Sequence, residues 1–258
     1  RRIEKTGRLK MILEDETLDD LQIKNCKIIQ KKSGFKFGID AVLLANFVKY
    51  KKNDTVVDLG TGTGIIPILL KAKSNIGKIY AIEIQEHIAD MARRSVELNN
   101  FQDHIEVLNI NLKDSLDFIT KNSIDIITSN PPYMPKEKLL SGNESMMISR
   151  NEIFCDIADI MKVSSDLLKP NGKMFMIHRP SRLSDIIYEG RKNKLELKEL
   201  QMIYPCVGKS ANMVLLKLVK NAKPEIRMLP PLIVHQDDGK YTEDVQKIYD
   251  KKELDAEI

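Results

Sequence analysis

Short runs of β-branched apolar residues alternate with longer amphipathic stretches from residue 54 onward, and this alternation limits the possible folds more than any other feature. Continuous or alternating apolar runs predict strands, whereas apolar residues at i, i+3, i+4 and i+7 predict helices. The predicted strands cover residues 55–59, 78–84, 104–110, 124–129 and 172–178. Residues 86–98 and 153–168 have helical spacing. This order predicts a mostly parallel sheet with helices on both faces.

The last two predicted strands, residues 195–204 and 213–219, are connected differently. The segment between them contains Pro205 and Gly208 and is too short for a crossover helix. Since short connections join antiparallel strands, we expect an antiparallel pair at the C-terminal end of the sheet. The predicted fold class is α/β.

Charge divides the chain into three parts. Residues 1–52 hold 13 Lys and Arg against 7 Asp and Glu, whereas residues 235–258 hold 4 Lys against 8 acidic residues. We predict a basic N-terminal extension over residues 1–52, an α/β domain over 53–220 and a C-terminal extension with an acidic tail over 221–258. The basic excess suits a polyanionic partner, and it is also typical of a Lys-rich surface that only keeps a protein soluble.

Composition excludes several functional classes. The longest apolar run, residues 65–70, is far shorter than the roughly 20 residues that a membrane-spanning helix needs, and the N-terminus lacks a signal-peptide core. Cys26, Cys155 and Cys206 show no CxxC spacing, so neither a zinc cluster nor a disulfide framework has support. We therefore expect a cytoplasmic protein with no membrane association and no metal, while its oligomeric state stays open.

A glycine-rich loop, DLGTGTG over residues 58–64, joins the first predicted strand to an apolar helix. Its glycines, Gly60, Gly62 and Gly64, offer backbone N–H groups without Cβ bulk at the edge where α/β sheets bind ligands. The spacing differs from the dinucleotide fingerprint GxGxxG, and Asp58 would repel a pyrophosphate. A tight strand-to-helix turn without a ligand is the alternative interpretation.

An acidic residue at the end of the next predicted strand, Glu83, is placed to accept hydrogen bonds from both hydroxyls of a ribose. Because Asp58 suits a cationic ligand, the combination predicts S-adenosylmethionine as cofactor. The pattern resembles the S-adenosylmethionine-dependent methyltransferases, which have a Rossmann-like seven-stranded sheet. The resemblance implies that the glycine loop and Asp58 face the methionine part of the cofactor and that Glu83 faces its ribose. It also implies that Asn111 contacts the cofactor adenine, although Asn111 suits a helix cap equally well.

The sequence Asn130-Pro131-Pro132-Tyr133 follows the fourth predicted strand. An exocyclic amino group on a base is a poor nucleophile, because its lone pair is delocalised into the ring. The side-chain oxygen of Asn130 and the carbonyl of Pro131 can hold its two hydrogens, Pro132 helps to fix the loop, and Tyr133 can stack on the base. A turn followed by a core tyrosine is the alternative. The motif resembles that of methyltransferases acting on amino groups of adenine, guanine or protein glutamine.

The segment FKFGIDAVLLA, residues 35–45, places Asp40 where it can cap a helix packed over the cofactor site. With residues 178–180, 209–212 and 230–234, it resembles the bacterial family of tRNA adenine-N6 methyltransferases that modify adenosine 37 of a valine tRNA. The resemblance implies that the Asp40 segment closes the cofactor pocket and that the acceptor is RNA, namely tRNA.

Other functions stay open. The same loop occurs in protein-glutamine N5-methyltransferases and rRNA guanine-N2 methyltransferases, and a dehydrogenase-like dinucleotide binder and a non-catalytic RNA-binding module are further alternatives. Basic residues that could contact RNA phosphates are Arg179, Arg182, Arg191, Lys192 and Lys209. Residues 191–194 are alternatively the solvated end of a helix.

Overall fold

One large sheet dominates the protein, whose computed structural model describes residues 11–32, 38–132 and 156–250. The strands within these ranges are β1 (Glu16–Asp20), β2 (Lys27–Lys31), β3 (Thr55–Leu59), β4 (Lys78–Ile82), β5 (Ile105–Leu108), β6 (Ile124–Ser129), β7 (Leu168–His178), β8 (Leu195–Tyr204), β9 (Met213–Lys220), β10 (Arg227–Met228) and β11 (Leu232–Ile233). The α-helices are α1 (Ile39–Phe47), α2 (Ile65–Lys73), α3 (Glu86–Leu98), α4 (Ile157–Leu167), α5 (Leu183–Lys192) and α6 (Glu243–Asp250).

The strand order in the large sheet is β10-β8-β9-β7-β6-β3-β4-β5, with β11 also paired to β8. Strands β3 to β7 pair in parallel, and β9 runs antiparallel to both of its neighbours, β7 and β8. The seven predicted strands and the antiparallel C-terminal pair are therefore confirmed. The two extra strands, β10 and β11, have two residues each, which is too short for a sequence pattern to reveal.

Helices cover both faces of the sheet, as predicted, because alternate residues of its strands face opposite sides. On β3, Val56 joins a core cluster with α1 and α2, whereas Val57 and Leu59 join a second cluster with α4 and α5. Strands β3 and β6 and helix α3 have the predicted bounds. Helix α4 is shorter than predicted within the described residues, and β7 starts at Leu168, before its predicted beginning at residue 172.

An N-terminal hairpin of β1 and β2, which the sequence pattern did not predict, packs against α3. Arg94 on α3 donates to both carboxylate oxygens of Glu16, at 2.6 and 2.7 Å, and the Glu16 side chain is only 1% exposed. The N–H of Ile29 donates to Ser95 Oγ at 3.0 Å. These contacts attach the described part of the N-terminal extension to the face of the sheet that carries α2 and α3.

The C-terminal extension joins the same body. Strands β10 and β11 extend the sheet, and α6 contacts α1, with Val245 fully buried between them and their neighbours. Lys73 Nζ on α2 donates to the carbonyl of Ile248 at 2.6 Å.

No helix in the described ranges combines the length and the apolar composition that a membrane span requires.

Candidate functional site

The carboxyl ends of β3 to β7 lie at one edge of the large sheet, the edge where α/β folds bind ligands. The glycine loop follows β3, Glu83 follows β4, Asn111 follows β5 and Asn130 follows β6. Four separate sequence signals therefore meet at one edge. The glycine loop and the Asn130 segment are neighbours there, because β3 and β6 are adjacent strands and Leu59 pairs with Ser129.

The glycine loop leaves open space in front of its backbone. Gly60 and Gly62 have positive φ angles of 75° and 58°, and a Cβ added at either position would meet no atom within 4 Å. Gly64, at φ 90°, is the N-cap of α2, and there a Cβ would lie 3.4 Å from Ala92 Cβ on α3. Gly64 thus permits close helix packing, whereas Gly60 and Gly62 leave room for a ligand to approach the backbone.

Asp58 is a completely buried carboxyl group at the end of β3. Its Oδ1 accepts a hydrogen bond from Thr128 Oγ1 at 2.6 Å, whereas Oδ2 and the nearby Thr61 Oγ1 have no hydrogen-bond partner among the described residues. Burial raises the pKa of Asp58 to about 6, although the hydrogen bond from Thr128 and the nearby Thr61 hydroxyl lower it, and the charge of Glu83 raises it further. Since buried polar atoms are normally paired, these two oxygens mark a place where a cationic or hydrogen-bonding ligand fits.

Glu83 connects the glycine loop to the turn after β4. Its Oε2 accepts from the N–H of Gly62 at 3.0 Å, and its Oε1 accepts from the N–H of Gln85 at 2.9 Å. A carboxylate has about four acceptor positions, so capacity remains for the hydroxyls of a ribose.

Asn109 is a residue of this edge that sequence reasoning missed. Its Nδ2 donates to the carbonyls of Glu83 and Ile84, at 2.8 and 2.9 Å, and so fixes the turn that carries the Glu83 carboxylate. The available signal was an Asn inside the predicted 104–110 strand, close to its end, since Asn often supports turns.

Asn111 caps the short 3₁₀ helix Leu112–Asp117. Its Oδ1 accepts from the N–H of Lys113 at 3.0 Å. The capping interpretation of Asn111 is therefore observed, while its contact with a cofactor adenine stays a prediction.

Asn130 lies directly after β6, with Pro131 buried and Pro132 exposed behind it. Asn130 Nδ2 donates to Asp40 Oδ2 at 3.1 Å, which joins the Asn130 segment to helix α1. Tyr133, the fourth residue of the predicted catalytic motif, lies outside the described residues. The position of Asn130 beside the glycine loop agrees with the predicted arrangement of the site.

The predicted capping role of Asp40 is wrong. Helix α1 begins at Ile39 with Gly38 at its N-cap, and among the described residues no side chain supplies a cap hydrogen bond there. Asp40 instead occupies the first helical turn, where its Oδ1 accepts from the N–H of Ala41 at 3.0 Å. The helix starts two residues earlier than a cap at Asp40 would require. The Asp40 carboxylate is therefore directed to the Asn130 amide.

The basic residues that could contact RNA phosphates lie at two different edges of the sheet. Exposed Arg179 follows β7 and exposed Lys209 precedes β9, so both lie at the edge of the candidate site. Helix α5, in contrast, ends at the opposite edge, where Arg191 Nη2 pairs with Glu196 Oε1 at 2.7 Å and Lys192 pairs with Glu189. Arg191 and Lys192 are thus the solvated end of a helix, as the alternative interpretation had it.

His178 ends β7 at the site edge and is buried. Its Nδ1 accepts from the N–H of Arg179 at 2.8 Å. Burial, together with the positive charges of Arg182 and Arg179, lowers the pKa of His178 to about 4. His178 is therefore neutral near pH 7 and accepts a backbone hydrogen bond there.

Comparisons with known proteins identify methyltransferases as relatives of this chain. Residues 36–187 match the family model of the methyltransferase small domain. The chain is 30% identical over 165 residues to a tRNA1(Val) (adenine(37)-N6)-methyltransferase of Bacteroides thetaiotaomicron, covering 64% of this chain and 68% of the relative. It is 28% identical over 193 residues to the enzyme of the same name from Phocaeicola vulgatus, covering 75% and 80%.

Solved structures share the fold. A protein from Agrobacterium tumefaciens described as a predicted O-methyltransferase superimposes with a TM-score of 0.69 at 22% identity, over 84% of this chain and 99% of that one. Geranyl diphosphate C-methyltransferase from Streptomyces coelicolor, in complex with S-adenosyl-L-homocysteine, superimposes with a TM-score of 0.54 at 15% identity, over 70% and 79%.

Proposed function

Because this chain belongs to the methyltransferase small domain family, we propose that it transfers a methyl group from S-adenosylmethionine to the N6 nitrogen of an adenine in tRNA. The single observation that carries the proposal is the position of Asn130. Pairing of Leu59 with Ser129 brings the Asn130 segment beside the glycine loop, and the Thr128–Asp58 hydrogen bond of 2.6 Å links the two strands just before these loops. A donor site and an acceptor site thus share one edge of the sheet.

The donor side fits S-adenosylmethionine on three observations. Open space faces Gly60 and Gly62, the Glu83 carboxylate has acceptor capacity for two ribose hydroxyls, and Asp58 has a buried oxygen without a partner among the described residues. When bound there, S-adenosylmethionine supplies an electrophilic methyl group on a sulfonium leaving group. Glu83 holds the ribose, and Asp58 supplies negative charge to the ammonium group of the methionine part.

The acceptor side depends on Asn130 and the following prolines. Asn130 Oδ1 and the Pro131 carbonyl accept hydrogen bonds from the two hydrogens of an exocyclic amine, which leaves the nitrogen lone pair directed at the methyl carbon. Neither proline has an N–H that would compete for these acceptors. The rate increase then comes from proximity and orientation, with Tyr133 as our candidate for stacking on the adenine. An adenine must be splayed out of its RNA stack to reach this position.

The choice of tRNA as acceptor rests on the relatives and on surface charge. Both relatives described above bear the name tRNA1(Val) (adenine(37)-N6)-methyltransferase. Arg179 and Lys209 are exposed at the site edge, and Val207 between β8 and β9 is 70% exposed. Basic side chains there can contact phosphates beside the flipped base. A tRNA acceptor also implies action in the cytoplasm.

The substrate is tested by incubating the protein with isotope-labelled donor and either a tRNA(Val) transcript or a release-factor peptide containing glutamine. We expect N6-methyladenosine in the digested tRNA and no label in the peptide. Methyl found only on guanine, ribose or glutamine would contradict the adenine assignment, and methylated glutamine would support a protein-glutamine methyltransferase instead.

Asn130→Ala tests the acceptor machinery. We expect loss of methyl transfer with the dissociation constant of the donor changed no more than a few-fold, because the Asn130 amide acts on the acceptor. Ser129→Ala is a nearby control, since Ser129 Oγ donates to the Leu59 carbonyl at 3.1 Å. Full turnover in Asn130→Ala would remove this residue from the mechanism.

A further inference from the structure

A partly buried hydrogen bond joins two residues that are 90 positions apart in the sequence, Asp40 on α1 and Asn130 after β6. We propose that Asp40 is a positioning residue that sets the orientation of the Asn130 side-chain amide, so that Oδ1 faces the acceptor amine. The inference rests on the proposed function and adds a residue to its acceptor side. It gives the Asp40 carboxylate a task distinct from closure of the cofactor pocket.

The amide group of Asn130 has two orientations of nearly equal shape, which exchange Oδ1 and Nδ2. An ionised carboxylate only accepts hydrogen bonds, so the Asn130 NH₂ group must face Asp40 Oδ2, at 3.1 Å. Oδ1 is then directed away from Asp40. In the flipped orientation, the NH₂ group of Asn130 would face the NH₂ group of the acceptor, and two donors cannot bond to each other.

The carboxylate also changes the electron distribution of the amide. A hydrogen bond from Nδ2 to a negative group polarises the amide and makes Oδ1 a stronger acceptor. A stronger acceptor holds the amine hydrogen more firmly and draws positive charge from the nitrogen as the new bond forms. The Asp40–Asn130 bond therefore acts both on orientation and on acceptor strength.

Asp40 is itself held in place. Its Oδ1 accepts from the N–H of Ala41 at 3.0 Å, and its residue exposure is 7%. Helix α1 is fixed by Leu43 and Leu44, both buried against α2 and the sheet. A carboxylate in the first turn of a helix is also favoured by the helix dipole. The Asn130 amide thus docks against a preorganised group.

Gly38 offers a way to displace the Asp40 carboxylate from a neighbouring position. A Cβ at Gly38 would lie 2.7 Å from Asp40 Oδ1, which is too close for an unshifted carboxylate. The φ angle of Gly38 is −100°, so Ala is not excluded by the backbone. Gly38→Ala therefore displaces the Asp40 carboxylate without changing Asp40 or Asn130.

The kinetic test measures kcat and KM for tRNA methylation, and the dissociation constant of the donor, in Asp40→Leu, Asp40→Asn and Gly38→Ala. We expect Asp40→Leu to lower kcat by about ten- to a hundredfold, with donor binding within a few-fold of the original, since one charge-assisted hydrogen bond is lost. Asp40→Asn, which still offers an accepting oxygen, should be intermediate, and Gly38→Ala should also lower kcat. Asp159→Asn removes a first-turn acid from α4 and should leave kcat unchanged.

A double-mutant cycle separates positioning from a general structural role. In the Asn130→Ala background, Asp40→Leu should have no further effect on the residual rate. If the kcat losses of the two single variants multiply in the double variant, the proposal is overturned. It is also overturned if Asp40→Leu weakens donor binding and leaves kcat unchanged. Asp40→Asn has nearly the same shape as the original side chain and keeps the test valid if Asp40→Leu fails to fold.

A spectroscopic readout does not depend on activity. In nuclear magnetic resonance spectra, one Nδ2 proton of Asn130 should be shifted downfield and protected from exchange, and Asp40→Asn should reduce both effects. Identical Asn130 side-chain signals in the two proteins would overturn the proposal. An original protein that shows these signals but methylates no tRNA would contradict the proposed function alone.

Discussion

Binding of S-adenosylmethionine should weaken as the pH falls through 6, because Asp58 then loses its charge. The pKa of Asp58 is raised to about 6 by burial in the protein without donor. A bound cation favours the ionised carboxylate and lowers this pKa again. An α-amino group has a pKa of about 7.7 to 8.0, so the amino group of the donor stays protonated throughout the range of interest.

The magnitude follows from linkage between proton and donor binding. If the bound donor returns the pKa of Asp58 to its ordinary value of 3.8, the protein must release a proton on binding whenever the pH lies between 3.8 and about 6. The dissociation constant then rises about tenfold between pH 7 and pH 5, which is about 1.4 kcal/mol. His178, with its pKa near 4, does not change charge in that interval.

Calorimetric titration of donor at pH 5, 6 and 7 measures this dependence directly. The Asp58→Asn protein should bind the donor more weakly at pH 7, by about 1.5 to 3 kcal/mol if a hydrogen bond to a charged group is lost, and its affinity should not change with pH. Thermal melting at each pH checks that both proteins stay folded. If the dissociation constant of the donor does not change with pH in the unsubstituted protein, or changes equally in Asp58→Asn, the assignment of Asp58 to the donor is refuted.

Three other predictions test the glycine loop, the basic residues at the site edge and the β1–β2 hairpin. Gly62→Ala should weaken donor binding at least tenfold, because the added methyl group fills the open crevice. Gly239 has a similar positive φ of 81° and equally open surroundings, so Gly239→Ala should cost about 1 kcal/mol of stability and leave donor affinity intact. Equal donor affinity in the two variants would contradict a ligand at Gly62. Lys209→Ala should reduce the salt dependence of tRNA binding by about one unit in log–log slope, while Lys192→Ala at the opposite edge should not; filter binding at several salt concentrations decides. Arg94→Met should lower the free energy of unfolding by about 3 kcal/mol, since Glu16 becomes a buried carboxylate without its positively charged partner. Urea titration measures this loss. A loss below about 1 kcal/mol would mean that the pair contributes no more than a surface pair does.

Local patterns were sufficient to predict the centre of the fold. The bounds of β3, β6 and α3 match the predicted ranges because each element shows a clear period and is bounded by turn or loop residues. Hairpin β1–β2 escaped prediction because the first strand, ETLDD, has a single large apolar side chain. The hairpin is held in place by the bidentate Arg94–Glu16 contact between residues 78 positions apart and by Ile28 and Ile29 of β2, which are completely buried.

In the candidate site, too, some features could be predicted from the sequence and others could not. Asp58, Glu83 and Asn130 could be predicted because Asp58 lies near the carboxyl end of a strand, Glu83 and Asn130 follow directly after one, and these strand ends meet at the same edge. The contact between Asp40 and Asn130 could not, because the two residues are 90 positions apart and a first-turn acid resembles a cap in sequence. The position of Arg191 at the far edge likewise depends on the direction of α5, which the sequence pattern alone does not specify.

The central claim is that the crevice formed by Gly60 and Gly62, with Asn130 at its border, is where the methyl group is transferred. A crystal structure with S-adenosylhomocysteine tests it most directly. We expect a nucleoside whose ribose hydroxyls contact Glu83 and whose sulfur faces Asn130. A ligand bound elsewhere on the protein, or one with its sulfur directed away from Asn130, would contradict it.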